Sequence, residues 1–137
     1  METALKFAAE RGVEVALILP GIPDKKVPYA LAKTHYASLL ESGVKIYEYT
    51  PGFVHAKVFV SDDREAVVGT INMDYRSFYL HYENGVWVYD EDFLKKIMED
   101  FSHTFGVSRE ISYEEWQNRP FKIKMIQHLL KVFSTIV

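Results

Sequence analysis

The spacing of apolar residues along the chain changes period several times, and each change predicts an element. Ala4 to Arg11 is spaced for a helix, with Thr3 as the expected N-cap and Gly12 as the stop. Val13 to Leu19 (VEVALIL) is almost continuously apolar, which predicts a buried, parallel and central strand. Pro20-Gly21-Ile22-Pro23 ends it in a loop. Val27 to Glu41 returns to helical spacing through Leu31, His35, Leu39 and Leu40, and Gly43 stops it. Val44 to Tyr49 is the next strand. A helix crossing between two parallel strands makes a βαβ unit, expected to be right-handed.

Further along, Lys57-Val58-Phe59-Val60 is β-branched and aromatic and predicts a strand. Asp62 to Glu65 is a polar break of hairpin length, and Ala66 to Thr70 is the return strand. Leu80 to Tyr89 predicts a third. Asp90 is expected to cap a helix over 91–105, with Phe93, Leu94, Ile97, Met98 and Phe101 facing the core and Gly106 as its stop. Ser112 caps a short helix, with Glu115 in the capping-box position. Pro120 opens a last helix that is apolar over more than half its circumference, from Phe121 to Val137. The fold class is therefore α/β, a mixed, largely parallel sheet flanked by helices, with C-terminal helices. One domain over 1–137 is expected, with 112–137 as its helical extension.

Composition narrows the function. A chain of 137 residues that is 48% hydrophobic can build one core. A net charge of −3 supplies no broad basic field, which disfavours nucleic acid as a partner. Without cysteine there are no disulfides and no thiolate metal sites. No apolar run approaches the ~20 residues of a membrane span.

The chemistry gathers between His55 and Glu83. His55, Lys57 and Asp62 are spaced H-x-K-x-x-x-x-D. Side chains alternate along a strand, so His55 and Lys57 are expected on one face. An antiparallel return brings Thr70 and Asn72 back toward the level of His55, and Glu83 can approach from the next strand. A neutral imidazole is a competent nucleophile toward phosphorus near neutral pH. A carboxylate on one ring nitrogen leaves the other free to attack. Lys57 and Asn72 would hold non-bridging phosphate oxygens and stabilise charge in the transition state. This set needs neither a metal nor a cofactor. The H-x-K-x-x-x-x-D string alone arises by chance in on the order of one per cent of chains this long. The bland alternative is an exposed strand face followed by a turn.

The segments HAKVFVSDD, VVGTINMDYRSFYLHYE and VWVYD resemble the second catalytic motif of the phospholipase D superfamily, and among its members bacterial cardiolipin synthases. The resemblance takes in GVEVALILPGIPD, SLLESGVKIYEYTPGFVHAK and the C-terminal W-x-x-R segment. Two departures stand out. Gly69-Thr70 replaces the family's Gly-Ser, keeping a hydroxyl, and Leu80-His81-Tyr82-Glu83 replaces L-N-F-E.

The resemblance implies an active site of two such motifs, one from each half of a long chain or from each subunit of a dimer. His55 would be one of the paired histidines, with Lys57 and Asp62 completing the catalytic motif, Lys57, Thr70 and Asn72 binding phosphate, and Glu83 orienting the histidine. Asp62 would shape the turn as a buried partner. The reaction implied is cardiolipin synthesis from two phosphatidylglycerols through a phosphohistidine. The implied partners are the phospholipid, a membrane surface, and a missing N-terminal half or a second copy. The implied location is the cell membrane, peripherally or through an anchor outside this chain. In the resembled family a further strand precedes the first helix, so the chain reads as the second half of a two-motif enzyme. Other possibilities are a different phospholipase D-type phosphodiesterase, acting on phospholipid or nucleic acid, and an inactive piece serving only association. His35 and Tyr36 are expected to pack a helix on the sheet, Ser77 and Phe78 to be packing residues, and His81 to share a strand face with Glu83. The last helix would lie on anionic lipid or pack on a missing half or second subunit.

Overall fold

The computed structural model describes residues 1–121 and 123–125. Its elements are α1 (Glu2–Glu10), β1 (Ala16–Pro20), α2 (Lys26–Lys33), α3 (Tyr36–Glu41), β2 (Lys45–Tyr49), β3 (Val58–Ser61), β4 (Glu65–Gly69), α4 (Tyr75–Tyr79), β5 (Gly85–Val88), α5 (Glu91–Val107), β6 (Ser108–Ile111) and α6 (Tyr113–Gln117). Strands and helices are mixed as the α/β class requires. The parallel share is smaller than expected. β1 and β2 form the one parallel pair among the described residues, and β2–β6, β3–β4 and β4–β5 are antiparallel.

The strands fall into two three-stranded sheets, β1-β2-β6 and β3-β4-β5. The first carries the core. Its central strand is β2, not β1, because β6 pairs along the other edge of β2. Ile46 on β2 is fully buried and Val44 just before it nearly so, while β1 is at most half-buried. Tyr36, Leu39, Ile111 and Trp116 close the cluster, with Leu5, Val15 and Leu17 packed around it. The rings of Tyr36 and Trp116 lie 4.8 Å apart, and the Arg119 guanidinium sits 3.1 Å from the Trp116 ring centre. The W-x-x-R segment is therefore a packing device. β6 was not foreseen, because the chain passes from α5 straight into it with no turn residue between.

Local signals were right at several termini. The side chains of Asp74, Asp90 and Ser112 accept from the amides of Ser77, Phe93 and Glu115 at 2.7, 2.9 and 3.1 Å. Gly12 and Gly43 have φ of +91° and +89°, a region that favours glycine at helix ends. Others were overridden. α1 starts at Glu2, so Thr3 lies inside the helix and is not its cap; the Glu2 carboxylate instead reaches His35 Nδ1 at 2.6 Å and the Ser38 hydroxyl. The single helix expected over 27–41 breaks into α2 and α3. At the break the Thr34 hydroxyl bonds back to the Leu31 carbonyl at 2.7 Å, and the Thr34 and His35 amides make short i→i−3 bonds. His35 and Tyr36 are structural, as expected. Tyr36 is buried and donates to Glu48 Oε1 at 3.2 Å, which also meets Lys33 Nζ at 2.8 Å. Burial and the neighbouring Glu48 carboxylate push the Tyr36 phenol well above its ordinary range.

Gly106 does not stop α5, which runs through it to Val107. Leu94 is buried on that helix, whereas Phe93 is exposed and leaves the expected core face. The helix expected from Pro120 begins with the Ile123 and Lys124 amides bonding the Pro120 carbonyl at 3.0 and 3.3 Å. The rest of that expectation falls on residues 126–137, outside the described residues.

Candidate active site

β3 and β4 form a hairpin in register Val58↔Val68 to Ser61↔Glu65, and the Gly69 amide extends the ladder to the Lys57 carbonyl at 3.1 Å. The turn is made by Asp62 and Asp63, with φ of 52° and 55°, closed by Arg64 N–H to the Ser61 carbonyl at 3.1 Å. Two positive-φ residues match the right-handed strand twist, and aspartate tolerates that region better than most residues. Asp62 is exposed, so the buried-partner role expected for it is corrected. Its position is at the turn, five residues from Lys57. At ~3.3 Å per residue that separates the two backbones by roughly 16 Å, too far to share one phosphate.

The other end of the hairpin gathers the polar groups. His55 lies in an extended, exposed segment before β3, with its ring 5.8 Å from that of Phe53. Lys57 folds its ammonium back onto the His55 carbonyl at 2.8 Å, so cation and imidazole belong to one small region. Gly69 lies opposite Gly85, the last pair of β4–β5. Beyond it the Thr70 amide donates to the Asn84 carbonyl at 2.9 Å, and the Asn84 amide donates to Thr70 Oγ1 at 3.1 Å. The Thr70 hydroxyl donates to Glu83 Oε2.

Glu83 is not on the third strand. The chain leaves α4 through a tight turn, with the Leu80 and His81 amides both bonding the Arg76 carbonyl at 2.9 Å. β5 starts only at Gly85, which leaves 81–84 as a loop that presents Glu83 toward Thr70. The Thr70 hydroxyl, then that of Ser77, hold the Glu83 carboxylate below its ordinary 4.5, against the opposing effect of burial; the charges of His81 and Lys57 act in the same direction.

Thr70, Glu83 and Lys57 are thus brought together, and Asn72 is tied in through its backbone. The Asn72 amide donates to the Ser77 hydroxyl at 3.2 Å. The imidazole beside Glu83 is His81, with Nδ1 3.8 Å from Oε1. His55 makes no ion pair with Glu83 among the described residues. Ser77 was read as packing; it is buried, yet it is hydrogen-bonded on both its amide and its hydroxyl. Phe78, also expected to pack, is exposed. The Asp74 cap fixes the Ser77 amide within three residues, and the Ser77 hydroxyl takes the Asn72 amide five residues back.

No group of three or more His, Asp or Glu suited to a metal is present among the described residues. None of the described helices is long and apolar enough to cross a membrane. The arrangement offers an exposed imidazole at His55, a lysine ammonium folded onto the same segment, and the Thr70 hydroxyl bonded to the Glu83 carboxylate across the open end of the hairpin. Such a set can bind a phosphodiester and accept a proton from an imidazolium.

Comparison with known proteins shows the family of the chain and its fold. Residues 1–105 match the family described as "Cardiolipin synthase, PLD-like domain". The chain is 53% identical over 137 residues to an uncharacterised protein of Streptococcus mutans, covering all of this chain and 30% of that one. It is 42% identical over 135 residues to a cardiolipin synthase of Geobacillus kaustophilus and 40% over 134 to cardiolipin synthase 1 of Staphylococcus aureus, covering 98% of this chain and 27% of each. The chain therefore spans less than a third of the length of the curated relatives it matches. Among solved structures, it resembles the phospholipase D family member Nuc from Salmonella typhimurium, with a TM-score of 0.68 at 18% identity, covering 81% of this chain and 72% of that one. It also resembles the phosphatidylserine synthase of Haemophilus influenzae, with a TM-score of 0.63 at 22% identity, covering 98% of this chain and 36% of that one. These two likenesses establish the phospholipase D fold.

Proposed function

The chain belongs to the cardiolipin synthase, phospholipase D-like domain family, and from that premise we propose that it supplies half of a phosphatidyl-transfer site. The observation that carries the proposal is the gathering of Lys57, Thr70 and Glu83 at the open end of the β3–β4 hairpin, next to His55. A second H-x-K-x-x-x-x-D motif, from a preceding half or another copy, would complete the site.

In the proposed reaction His55 is one of two facing imidazoles. One attacks the phosphorus of a phosphatidylglycerol; a P–N bond forms and the P–O bond to the departing glycerol breaks. The other imidazolium gives its proton to that glycerol oxygen. The hydroxyl of a second phosphatidylglycerol then loses its proton to the now neutral base and attacks phosphorus. The P–N bond breaks and cardiolipin leaves. Lys57, the Thr70 hydroxyl and Asn72 are the groups that would hold the non-bridging oxygens, and Glu83 the carboxylate that would steady the His55 ring in the assembled site. Asp62 shapes the hairpin turn. The substrate lies in a membrane surface, and the net charge of −3 argues against nucleic acid in its place.

The test is incubation of the chain with labelled phosphatidylglycerol in mixed micelles, alone and with the remaining part of a full-length relative. Denaturing analysis then looks for phosphohistidine and for cardiolipin. Cardiolipin that disappears in His55→Ala is the expected result, and a phosphohistidine that also disappears makes His55 the nucleophile. Cardiolipin that still forms with His55→Ala, or its absence from the wild type when the second motif is supplied, overturns the proposal.

A further inference from the structure

The β3–β4 hairpin has unlike ends. Asp62, Asp63 and Glu65 crowd its turn around Arg64. At the other end the acids are already engaged. The Glu83 carboxylate accepts from the Thr70 hydroxyl, and Asp74 Oδ1 accepts the Ser77 amide at the start of α4. Lys57 and Arg76 are the cations at this end, and Arg76 is exposed with no ion pair among the described residues. The same end carries an aromatic surface. α4 turns Ser77 inward, where its hydroxyl accepts the Asn72 amide at 3.2 Å, and this leaves Tyr75, Phe78 and Tyr79 exposed. The rings of Tyr75 and Tyr79 lie 4.7 Å apart as one stripe. The tight exit turn adds Leu80 and the fully exposed Tyr82. Water is a poor partner for so much apolar surface in one short stretch, and a patch of this kind marks a docking surface.

We infer that α4 and its exit turn, from Tyr75 to Tyr82, dock on a bilayer that carries anionic phosphodiester headgroups. Three features select that occupant. Tyrosine joins an apolar ring to a hydroxyl, which suits the boundary between acyl chains and headgroups, where one end of the side chain is dry and the other wet. Charge points the same way. The chain carries −3 overall, yet the hairpin's acids stand at its turn, roughly 16 Å of strand from Lys57. An anionic surface attracts the end with Lys57 and Arg76 and repels the turn, so it orients the hairpin as well as holding it. The patch also adjoins the site, since Asn72 precedes α4 and Glu83 follows its exit turn. A headgroup phosphate at the docked surface is then close to the groups that would hold it. The choice of a bilayer rests on the phosphatidyl-transfer reading, which puts the substrate in a membrane.

The experiment is co-sedimentation of the intact chain with sucrose-loaded vesicles, either of phosphatidylcholine alone or of phosphatidylcholine mixed with phosphatidylglycerol. The wild type is expected to bind the anionic vesicles and to bind the neutral ones more weakly. Combining Tyr75→Ser, Tyr79→Ser and Tyr82→Ser should lower the partition by about tenfold. Arg76→Gln should lower it by about fivefold, and on the anionic vesicles only. Tyr89→Ser is the control. Tyr89 is 77% exposed against 73% for Tyr79, but it follows Val88, which pairs with Ala66 toward the acidic turn; its variant should bind like the wild type. An unchanged partition in the tyrosine variant, an equal loss in Tyr89→Ser, or equal binding to both vesicles overturns the inference. If the triple variant does not fold, Tyr82→Ser decides, because a fully exposed side chain has no packing to lose; no loss of binding there overturns the inference too. Light scattering tests the other occupant. A tyrosine variant that keeps the vesicles but loses a dimer, or loses its hold on the supplied remainder of a full-length relative, makes the patch a protein interface and overturns the inference. Turnover is a separate readout. A chain that docks through this patch and yet transfers no phosphatidyl group with the second motif supplied counts against the reaction and leaves the docking surface standing. His55-dependent turnover in micelles by a chain that ignores vesicles does the reverse.

Discussion

Gly69 offers a sharp test of how the hairpin serves the site. It lies opposite Gly85 where β4 leaves the sheet, one residue before Thr70. A Cβ at Gly69 would stand 2.7 Å from Gly85 Cα and 3.0 Å from the Asn84 carbonyl carbon, with the Asn84 oxygen closer still. All three are backbone atoms, so no side chain can swing away, and β5 must move. Overpacking of this kind costs about 1–3 kcal/mol. The movement also breaks the reciprocal Thr70–Asn84 hydrogen bonds, at about 0.5–1 kcal/mol each in a partly wet setting. Gly69→Ala is therefore expected to destabilise by about 2–5 kcal/mol, a fall in Tm of roughly 6–15 °C. Gly106→Ala is the control. Gly106 lies within α5, and a Cβ there meets nothing within 4 Å. It should stabilise by about 0.5–1 kcal/mol through helix propensity. Urea and thermal unfolding followed by circular dichroism measure both. A Gly69→Ala chain within about 0.5 kcal/mol of wild type would refute the close-approach argument.

Two further outcomes follow from named contacts. Lys33→Met leaves the buried Glu48 without its cation, and an unfolding loss of about 2–3 kcal/mol is expected. That is below the cost for a fully buried pair, because Lys33 keeps 22% of its side chain exposed; a neutral result in urea unfolding would remove the pair from the core. Since Glu83 is held below its ordinary 4.5 by Thr70 and Ser77, its stabilising effect is present above pH 4.5 and lost as pH falls through the lowered value. Protection of the Asn84 amide, corrected for intrinsic exchange, should fall in that acid window; constant protection would contradict the link.

Features that act over three or four residues are legible along the chain. Asp74, Asp90 and Ser112 cap helices because a side-chain oxygen reaches an amide three positions on. Gly12 and Gly43 end helices because a positive φ costs glycine little. The residue types of the site were legible for the same reason: a histidine, a lysine, hydroxyl and amide groups and a carboxylate within one short stretch suit phosphorus chemistry wherever the chain takes them. The rest depends on contacts between segments distant in the chain. β6 returns from the far end of α5 to pair with β2, which makes β2 the central strand. The helix over 27–41 breaks where Glu2, 33 residues away, holds His35 and where Tyr36 turns in to Glu48. Thr70 meets Glu83 across 13 residues because α4 and its tight exit turn fold the chain back. Ser77 looks like filler in an aromatic run until the fold buries it and its hydroxyl takes the Asn72 amide. Local spacing fixes caps and turns through bonds that close within a few residues. Which hydroxyl meets which carboxylate depends on where distant segments pack, and only burial of apolar surface over the whole chain settles that.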